Sequence, residues 1–272
     1  MTKHLTIVIG SLKGGGAERV CVTIANYFAE NGFVVNLIVL NLEESVFVND
    51  LSHKVNIVNL RKAHARGAFF AYYQCLLQLN PDRVLVFNHQ LAVLLLLIRA
   101  ILPHKFLLVS RNITKLSASK NIQKSIWHKY VVDNLVKSMF NKVDKVIAQS
   151  YGMRKDLIDN YYFNEQKVHV IHNPVSKVIE NYLDRNSLNE LNKEDYVLCV
   201  GRLERVKNFH NAIQAFSKAR ESHKHLRLKI VGDGSLKNEL IDYACELQVS
   251  EYVDFEGFCF DTLPYYLNDR AT

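Results

Sequence analysis

The sequence predicts a doubly wound parallel α/β fold arranged in two blocks. Short apolar runs alternate with segments of helical period from the first residues onward. Glycines, asparagines and cations collect in the loops where an apolar run gives way to a helix. A polar connection near residue 175 interrupts the alternation before it resumes. Helices between successive apolar strands bury both faces of a sheet, and this favours parallel strands read as continuous apolar runs.

The elements follow in order. Residues 5–9 form an apolar strand, followed by a glycine loop and a helix over about 18–31, with Gly32 as its natural terminator. Strands are predicted at 34–40 and 55–60, then a helix over 68–79 that Asn80-Pro81 stops. Residues 83–87 are a strand, a helix runs to 101, and 105–109 is the next strand. A basic helical region leads to a strand at 145–148, a helix at 152–161 and a strand at 168–171. His172-Asn173-Pro174 breaks the pattern. The first domain is therefore read as 1–175 and the second as 176–272, the latter opening with a polar stretch over 177–195. The second block reads strand 196–200, helix 208–220, strand 226–231, helix 236–247 and strand 253–256. It is expected to be an incomplete member of its class, because complete domains of this type have about six strands.

Totals narrow the function class. The 272 residues are 49% hydrophobic and 22% charged, a globular composition. Five scattered cysteines (Cys21, Cys75, Cys199, Cys245, Cys259) form no CxxC, so a reducing compartment is expected rather than a disulfide framework. The first residues run directly into a strand without a secretory signal, and the apolar block at 91–102 carries Arg99 and is too short to span a bilayer. The formal charge is +7, and residues 114–145 contain seven lysines against two aspartates, interleaved with apolar and aromatic residues at near-helical spacing. Such a stretch either lies on an anionic membrane surface or turns its apolar side to the core. No nucleic-acid-binding module is recognisable, so nucleic acid is not an expected partner.

Candidate site residues sit at strand ends. Arg202 and Lys207 follow the strand ending at Gly201 and precede a helix beginning near Phe209. Two cations beside a helix N-terminus suit a diphosphate; the alternative is solvated surface charge. Gly14-Gly15-Gly16 follow the first strand, where glycines let a backbone approach a ligand or simply make a tight turn. Their spacing is not GxGxxG, which argues against a nicotinamide-dependent reductase or epimerase. Gly232-Asp233-Gly234 and Gly257 follow later strands in the same way, as nucleotide contacts or ordinary turns. Asn88-His89 and Arg111-Asn112 share the ligand-facing edge; His89 reads equally as a packed histidine, and Arg111 as a cation for phosphate or carboxylate. His169 and His172 are expected on opposite faces of one strand, and no metal site is predicted.

These segments, taken in order, carry a resemblance. Gly15-Gly16-Ala17-Glu18-Arg19, Val146-Ile147-Ala148-Gln149-Ser150 followed by Met153-Arg154-Lys155, and Val170-Ile171-His172-Asn173-Pro174-Val175 form its first half. Gly201-Arg202-Leu203 with Lys207-Asn208, Ile230-Val231-Gly232-Asp233-Gly234 and residues 253–258 form its second. The chain resembles a retaining GT-B glycosyltransferase of the family 4 type (glycosyl transferases group 1) from residue 1 to about 266. The resemblance implies two Rossmann-like domains facing a cleft, with a nucleotide-diphosphate sugar held mainly by the second. Arg202 and Lys207 would hold the donor diphosphate without a metal or other cofactor, stabilising charge as the diphosphate leaves. Gly232, Gly234 and Gly257 would lie at the donor nucleotide. Gly15 and Gly16 would lie between donor and acceptor. Arg111, Asn112 and His89 are acceptor-side candidates. No catalytic residue is identified.

The resemblance further implies transfer of a hexose or N-acetylhexosamine, from UDP in the first instance, to a lipid-linked or polysaccharide acceptor with retention. Its setting would be bacterial surface polysaccharide synthesis (lipopolysaccharide or capsule), in the cytoplasm and peripheral to the membrane through 114–145. Two departures stand out. The family frequently has a histidine after the strand matching 105–109, where this chain has Ser110-Arg111-Asn112. The family also continues into a Glu-x7-Glu segment, whereas here no glutamate follows Glu256 and the chain reads Leu267-Asn268-Asp269-Arg270-Ala271-Thr272. A C-terminally truncated transferase with weak or absent turnover is expected. The alternative is a non-catalytic half-enzyme or binding module whose open sheet edge, after 253–256, takes a partner.

Overall fold

The structure is a computed structural model and describes residues 3–64, 67–112, 133–175, 195–259 and 261–268. It divides into two compact units, Met1–Pro174 and Val175–Thr272.

In the first unit, seven strands form one sheet: β1 (Lys3–Ile9), β2 (Phe33–Val39), β3 (Val55–Asn59), β4 (Arg83–Val86), β5 (Leu107–Arg111), β6 (Lys145–Ala148) and β7 (Val168–Val170). Their order is β3-β2-β1-β4-β5-β6-β7, and every pairing is parallel. The helices between them are α1 (Gly16–Glu30), α2 (Phe69–Leu79), α3 (His89–Ile101), α4 (Asp133–Met139) and α5 (Tyr151–Tyr161).

Side-chain alternation along each strand divides the interior into two cores. Ile7, Ile9, Val35, Leu37, Val39, Leu85 and Phe87 pack on one face with Val20, Cys21 and Ala25 of α1. Val8, Ile38, Val84, Val86, Leu108, Val146 and Ala148 pack on the other with α2, α3 and α5. Because successive residues face opposite ways, both faces need apolar side chains, and this explains the unbroken apolar runs.

Strand order reverses between β1 and β4, so the loops after these two strands diverge and leave a crevice at the carboxyl edge. Element ends explain themselves locally. Asn31 caps α1 and Gly32 follows at φ +82°, a conformation that glycine adopts without strain. Asn80 ends α2 in the left-handed region. Ser150 accepts a hydrogen bond from Met153 N and starts α5.

Two of the boundaries that differ from expectation bear on the candidate site residues. The first helix begins at Gly16, not near residue 18, so Gly15 is its N-cap and the glycine loop is partly helix start. The fifth strand runs Leu107–Arg111 rather than 105–109. Its backbone pairs Ser110 with Val86 on one side and Arg111 with Ile147 on the other, and that two-sided ladder carries the strand to Arg111. Asp144 anchors its start: the carboxylate accepts from Leu108 N at 2.7 Å and from Arg99 of α3. Most of the basic 114–145 stretch, residues 114–132, lies outside the described residues.

In the second unit, β8 (Tyr196–Val200), β9 (Arg227–Val231) and β10 (Val253–Gly257) form a parallel sheet in the order β10-β9-β8. Helices α6 (Phe209–Ser222) and α7 (Lys237–Glu246) cover one face through Phe209, Ile213, Phe216, Leu240 and Ala244, packed on Leu228, Ile230 and Val253. A short α8 (Leu263–Asn268) is tied to β8 by the Tyr196 hydroxyl, which donates to Tyr265 O. Among the described residues both β10 and β8 are edge strands, so the open edge is not confined to the strand over 253–256.

Candidate functional site

Each unit gathers its candidate residues at the carboxyl ends of its strands, and each edge stands by itself.

In the second unit the loop after β8 is pinned by Leu203, which is fully buried in the core. Leu203 N donates to Asp233 O at 2.9 Å, and Leu236 N donates to Leu203 O at 3.0 Å. Gly201 N donates to Val231 O at 2.9 Å, and Gly232 N to Gly257 O at 2.7 Å. The three strand ends are thereby stitched together by backbone alone. This closeness explains two glycines. A Cβ on Gly232, whose φ is +149°, would overlap the Gly201 carbonyl oxygen, and one on Gly234 would lie 2.6 Å from the Leu203 oxygen. Gly257 is different: a Cβ there meets nothing, and its φ of +77° is what favours glycine.

Arg202 and Lys207 stand exposed on this rigid frame. Lys207 lays its methylenes beside Gly201, about where a Cβ would touch them at 3.8 Å. Among the described residues neither cation has an ion-pair partner; the nearby Glu204 instead accepts from Ser235 Oγ at 3.2 Å. Helix α6 starts immediately afterwards from Asn208, which is left-handed (φ 54°) and gives no side-chain cap. Two exposed cations, without an ion-pair partner among the described residues, thus lie in the loop that leads into an uncapped helix start, residue types able to bind a diphosphate.

In the first unit the α1 start is framed by Gly14 (φ +122°) and Gly15. A Cβ on Gly15 would run into the Glu18 carboxylate, which folds back over the helix start. At Gly16 a Cβ would meet no atom within 4 Å, so packing within the chain does not require glycine there. Asn88 follows β4 with φ 155°, ψ 133°, and its Oδ1 accepts from Gln90 N at 2.7 Å to cap α3. An asparagine held in this region at the strand-order reversal stores backbone strain. His89 is half-buried with its ring 6.1 Å from Phe140.

Arg111 and Asn112, at the end of β5, are 2% and 1% exposed. Arg111 Nη2 donates to Asn173 Oδ1 at 2.7 Å, joining the ends of β5 and β7. Among the described residues Arg111 Nε, Asn112 Oδ1 and Ser110 Oγ have no partner, and burial lowers the Arg111 pKa from its ordinary value. The Asn173 contact, across 62 positions, had no signal in the sequence. His172 also departs from expectation. Strand β7 stops at Val170, so alternation no longer governs His172; its Nδ1 lies 2.9 Å from Gln149 O and its ring is 6.5 Å from Tyr151. Among the described residues, no group of three His, Cys, Asp or Glu is placed to hold a metal ion, and no helix is long and apolar enough to cross a membrane.

Parallel α/β units of this kind are shared by solved GT-B transferases. Anabaena HepE, solved in complex with UDP-glucose, has this fold with a TM-score of 0.70 at 18% identity over 97% of this chain and 71% of that one. The chain belongs to glycosyltransferase family 4: the Glycosyltransferase Family 4 profile matches residues 14–177 and that of the glycosyl transferases group 1 matches 180–271. A Campylobacter jejuni N-acetylgalactosamine-N,N'-diacetylbacillosaminyl-diphospho-undecaprenol 4-alpha-N-acetylgalactosaminyltransferase is 29% identical over 97% of the chain and 71% of its own length. The amylovoran biosynthesis glycosyltransferase AmsD of Erwinia amylovora is 25% identical over 89% of the chain and 65% of its own length.

Proposed function

We propose that the protein moves a hexose or N-acetylhexosamine from a UDP-sugar to a lipid-linked or polysaccharide acceptor, with retention, in bacterial surface polysaccharide synthesis. The observation that carries this reading is the pair of exposed cations, Arg202 and Lys207, unpaired among the described residues, beside the uncapped start of α6. In the transferred state the departing UDP carries negative charge on its β-phosphate. Fixed cations and helix N–H groups at that position lower the cost of developing it, and no metal ion is needed for the task. Gly232, Gly234 and Gly257 bring the ends of β8, β9 and β10 together and so leave the nucleotide a backbone-lined floor. Gly15 and Gly16 give the acceptor and the sugar close access to the start of α1, and Arg111, Asn112 and His89 lie on the acceptor side.

The donor nucleotide is supported by the neighbour solved with UDP-glucose, and the acceptor class by the relative named for a diphospho-undecaprenol substrate. With such an acceptor the enzyme works at the cytoplasmic face of the membrane, and the basic residues of 114–145 are its contact with anionic lipid.

Calorimetric titration with UDP tests the reading. Wild-type protein binds UDP, and the Arg202→Ala, Lys207→Ala double variant binds about a hundredfold more weakly, as expected for two charge-assisted contacts. Equal affinity of the two proteins excludes these cations from the donor site. A second reading, a binding module completed by a partner, is favoured by β8, whose backbone pairs on one side only among the described residues. Light scattering that finds a compact monomer active in sugar transfer removes it.

A further inference from the structure

A guanidinium stays protonated under all ordinary conditions, and a charge taken out of water is costly unless a counter-charge and hydrogen bonds compensate it. Among the described residues, Arg99 faces Asp144, and Arg227 meets Asp254 through Nη2 at 2.6 Å and Nε at 3.0 Å. Arg220, 8% exposed, instead donates to Leu226 O at 2.7 Å and lies over the Tyr252 ring. Arg111 differs from these. It is 2% exposed, deeper than any of the three, and among the described residues its one side-chain hydrogen bond is to the neutral amide of Asn173. Its Nε is unpartnered, and no carboxylate lies within ion-pair distance of it among the described residues. Burial acts on it with no offsetting charge. Beside it the Asn112 amide oxygen is equally buried and unpartnered. The cluster stands at the carboxyl ends of β5 and β7, the edge where open parallel sheets bind ligands.

We propose that the ends of β5 and β7 form an anion subsite in which Arg111 is the anchoring cation and the missing counter-charge is a sugar-linked phosphoryl group of the substrate. The guanidinium fork offers parallel N–H donors that match phosphoryl oxygens, and the Asn112 acceptor suits a hydroxyl of the sugar carrying the phosphate. The inference rests on the proposed sugar transfer, in which two substrates carry phosphoryl groups. Arg202 and Lys207, in the other unit, supply cations for the donor, so the phosphoryl group at Arg111 is assigned to the acceptor.

The test uses inorganic pyrophosphate and UDP as probes, read by titration calorimetry and thermal unfolding of the full chain. In a background lacking the Arg202 and Lys207 side chains, pyrophosphate still binds and raises the melting temperature. Adding Asn173→Asp supplies a counter-charge from within: pyrophosphate binding weakens about tenfold or more, and the ligand-free protein melts higher. Arg111→Met is the second variant. An uncompensated buried charge is replaced by an apolar chain, so ligand-free melting is unchanged or raised while pyrophosphate binding is lost.

Unaltered pyrophosphate affinity in either variant overturns the proposal. So does a large fall in the melting temperature of Arg111→Met with binding retained, the result for a purely structural arginine. If Asn173→Asp in the otherwise wild-type chain weakens UDP as much as pyrophosphate, the subsite stands and its phosphoryl group belongs to the donor. Failure of wild-type protein to bind UDP would sink the sugar-transfer reading alone, since pyrophosphate binding at Arg111 is measured without it.

Discussion

Glycines that look alike in the chain answer to different constraints. Gly232 is required by the Gly201 carbonyl oxygen that packs against its α-carbon, with a φ of +149° besides. Gly232→Ala is therefore expected to destabilise the second unit by about 1–3 kcal/mol, the usual cost of overpacking a site that cannot relax. Urea unfolding measures it, and a loss below about 0.5 kcal/mol would show that the loops separate easily. Gly16 carries no such internal constraint, since a Cβ there has open space around it. Gly16→Ala is expected to fold with unchanged or slightly higher stability, because alanine favours a helix start less than it favours the interior but still restricts the unfolded chain. Sugar transfer should nevertheless fall if a substrate passes close to α1. Full activity in Gly16→Ala would remove this glycine from the site.

At the level of elements, the ends of strands are held by different devices. Strand β5 is tied at its start by the Asp144 carboxylate and at its finish by the Arg111 to Asn173 bond. Strands β9 and β10 are clamped by Arg227 and Asp254. Hydrogen bonding from Arg227 holds the Asp254 carboxyl below its ordinary value of 3.8. The folded protein thus takes up this proton less readily than the unfolded chain. The pair's stabilisation is present above the ordinary carboxylate range and is lost as pH falls through the lowered folded value. Asp254→Asn is expected to flatten acid unfolding of the second unit below about pH 4 relative to wild type, with little effect on sugar transfer at neutral pH. Parallel acid-unfolding curves for the two proteins would show that the clamp contributes nothing, as many partly exposed pairs do.

For the whole molecule, the two units present different chemistry at the same kind of edge. The second offers exposed cations on a backbone frame, unpaired among the described residues; the first offers glycines, a strained Asn88 and a buried Arg111 without a counter-charge among the described residues. A ligand that binds only the folded protein stabilises it by mass action, about 2.7 kcal/mol at a hundred times its dissociation constant. UDP is therefore expected to raise the unfolding temperature and to slow hydrogen exchange in the loops after β8, β9 and β10, with no direct protection at the end of β5. Pyrophosphate should protect the β5 and β7 ends as well. Protection by UDP confined to the first unit would reverse the assignment of donor and acceptor sides.

The alternation of apolar runs and helical segments was legible in the chain because each strand of a two-faced sheet must be apolar along its length, and that requirement is local. That Gly15, Gly16, Arg202 and Lys207 follow strand ends was legible for the same reason: a loop begins where an apolar run stops. The family was legible because its short motifs recur in order. What the chain could not reveal depends on residues distant in sequence. The two extra residues that carry β5 to Arg111 come from its ladders with β4 and β6. The obligatory glycine at 232 comes from a backbone oxygen 31 positions away. The Asn173 partner of the Arg111 side chain lies 62 positions on. Periodicity records which side of an element is buried; which atom meets which across the sheet edge, and whether a buried charge finds its opposite, is decided only when the strands are brought together.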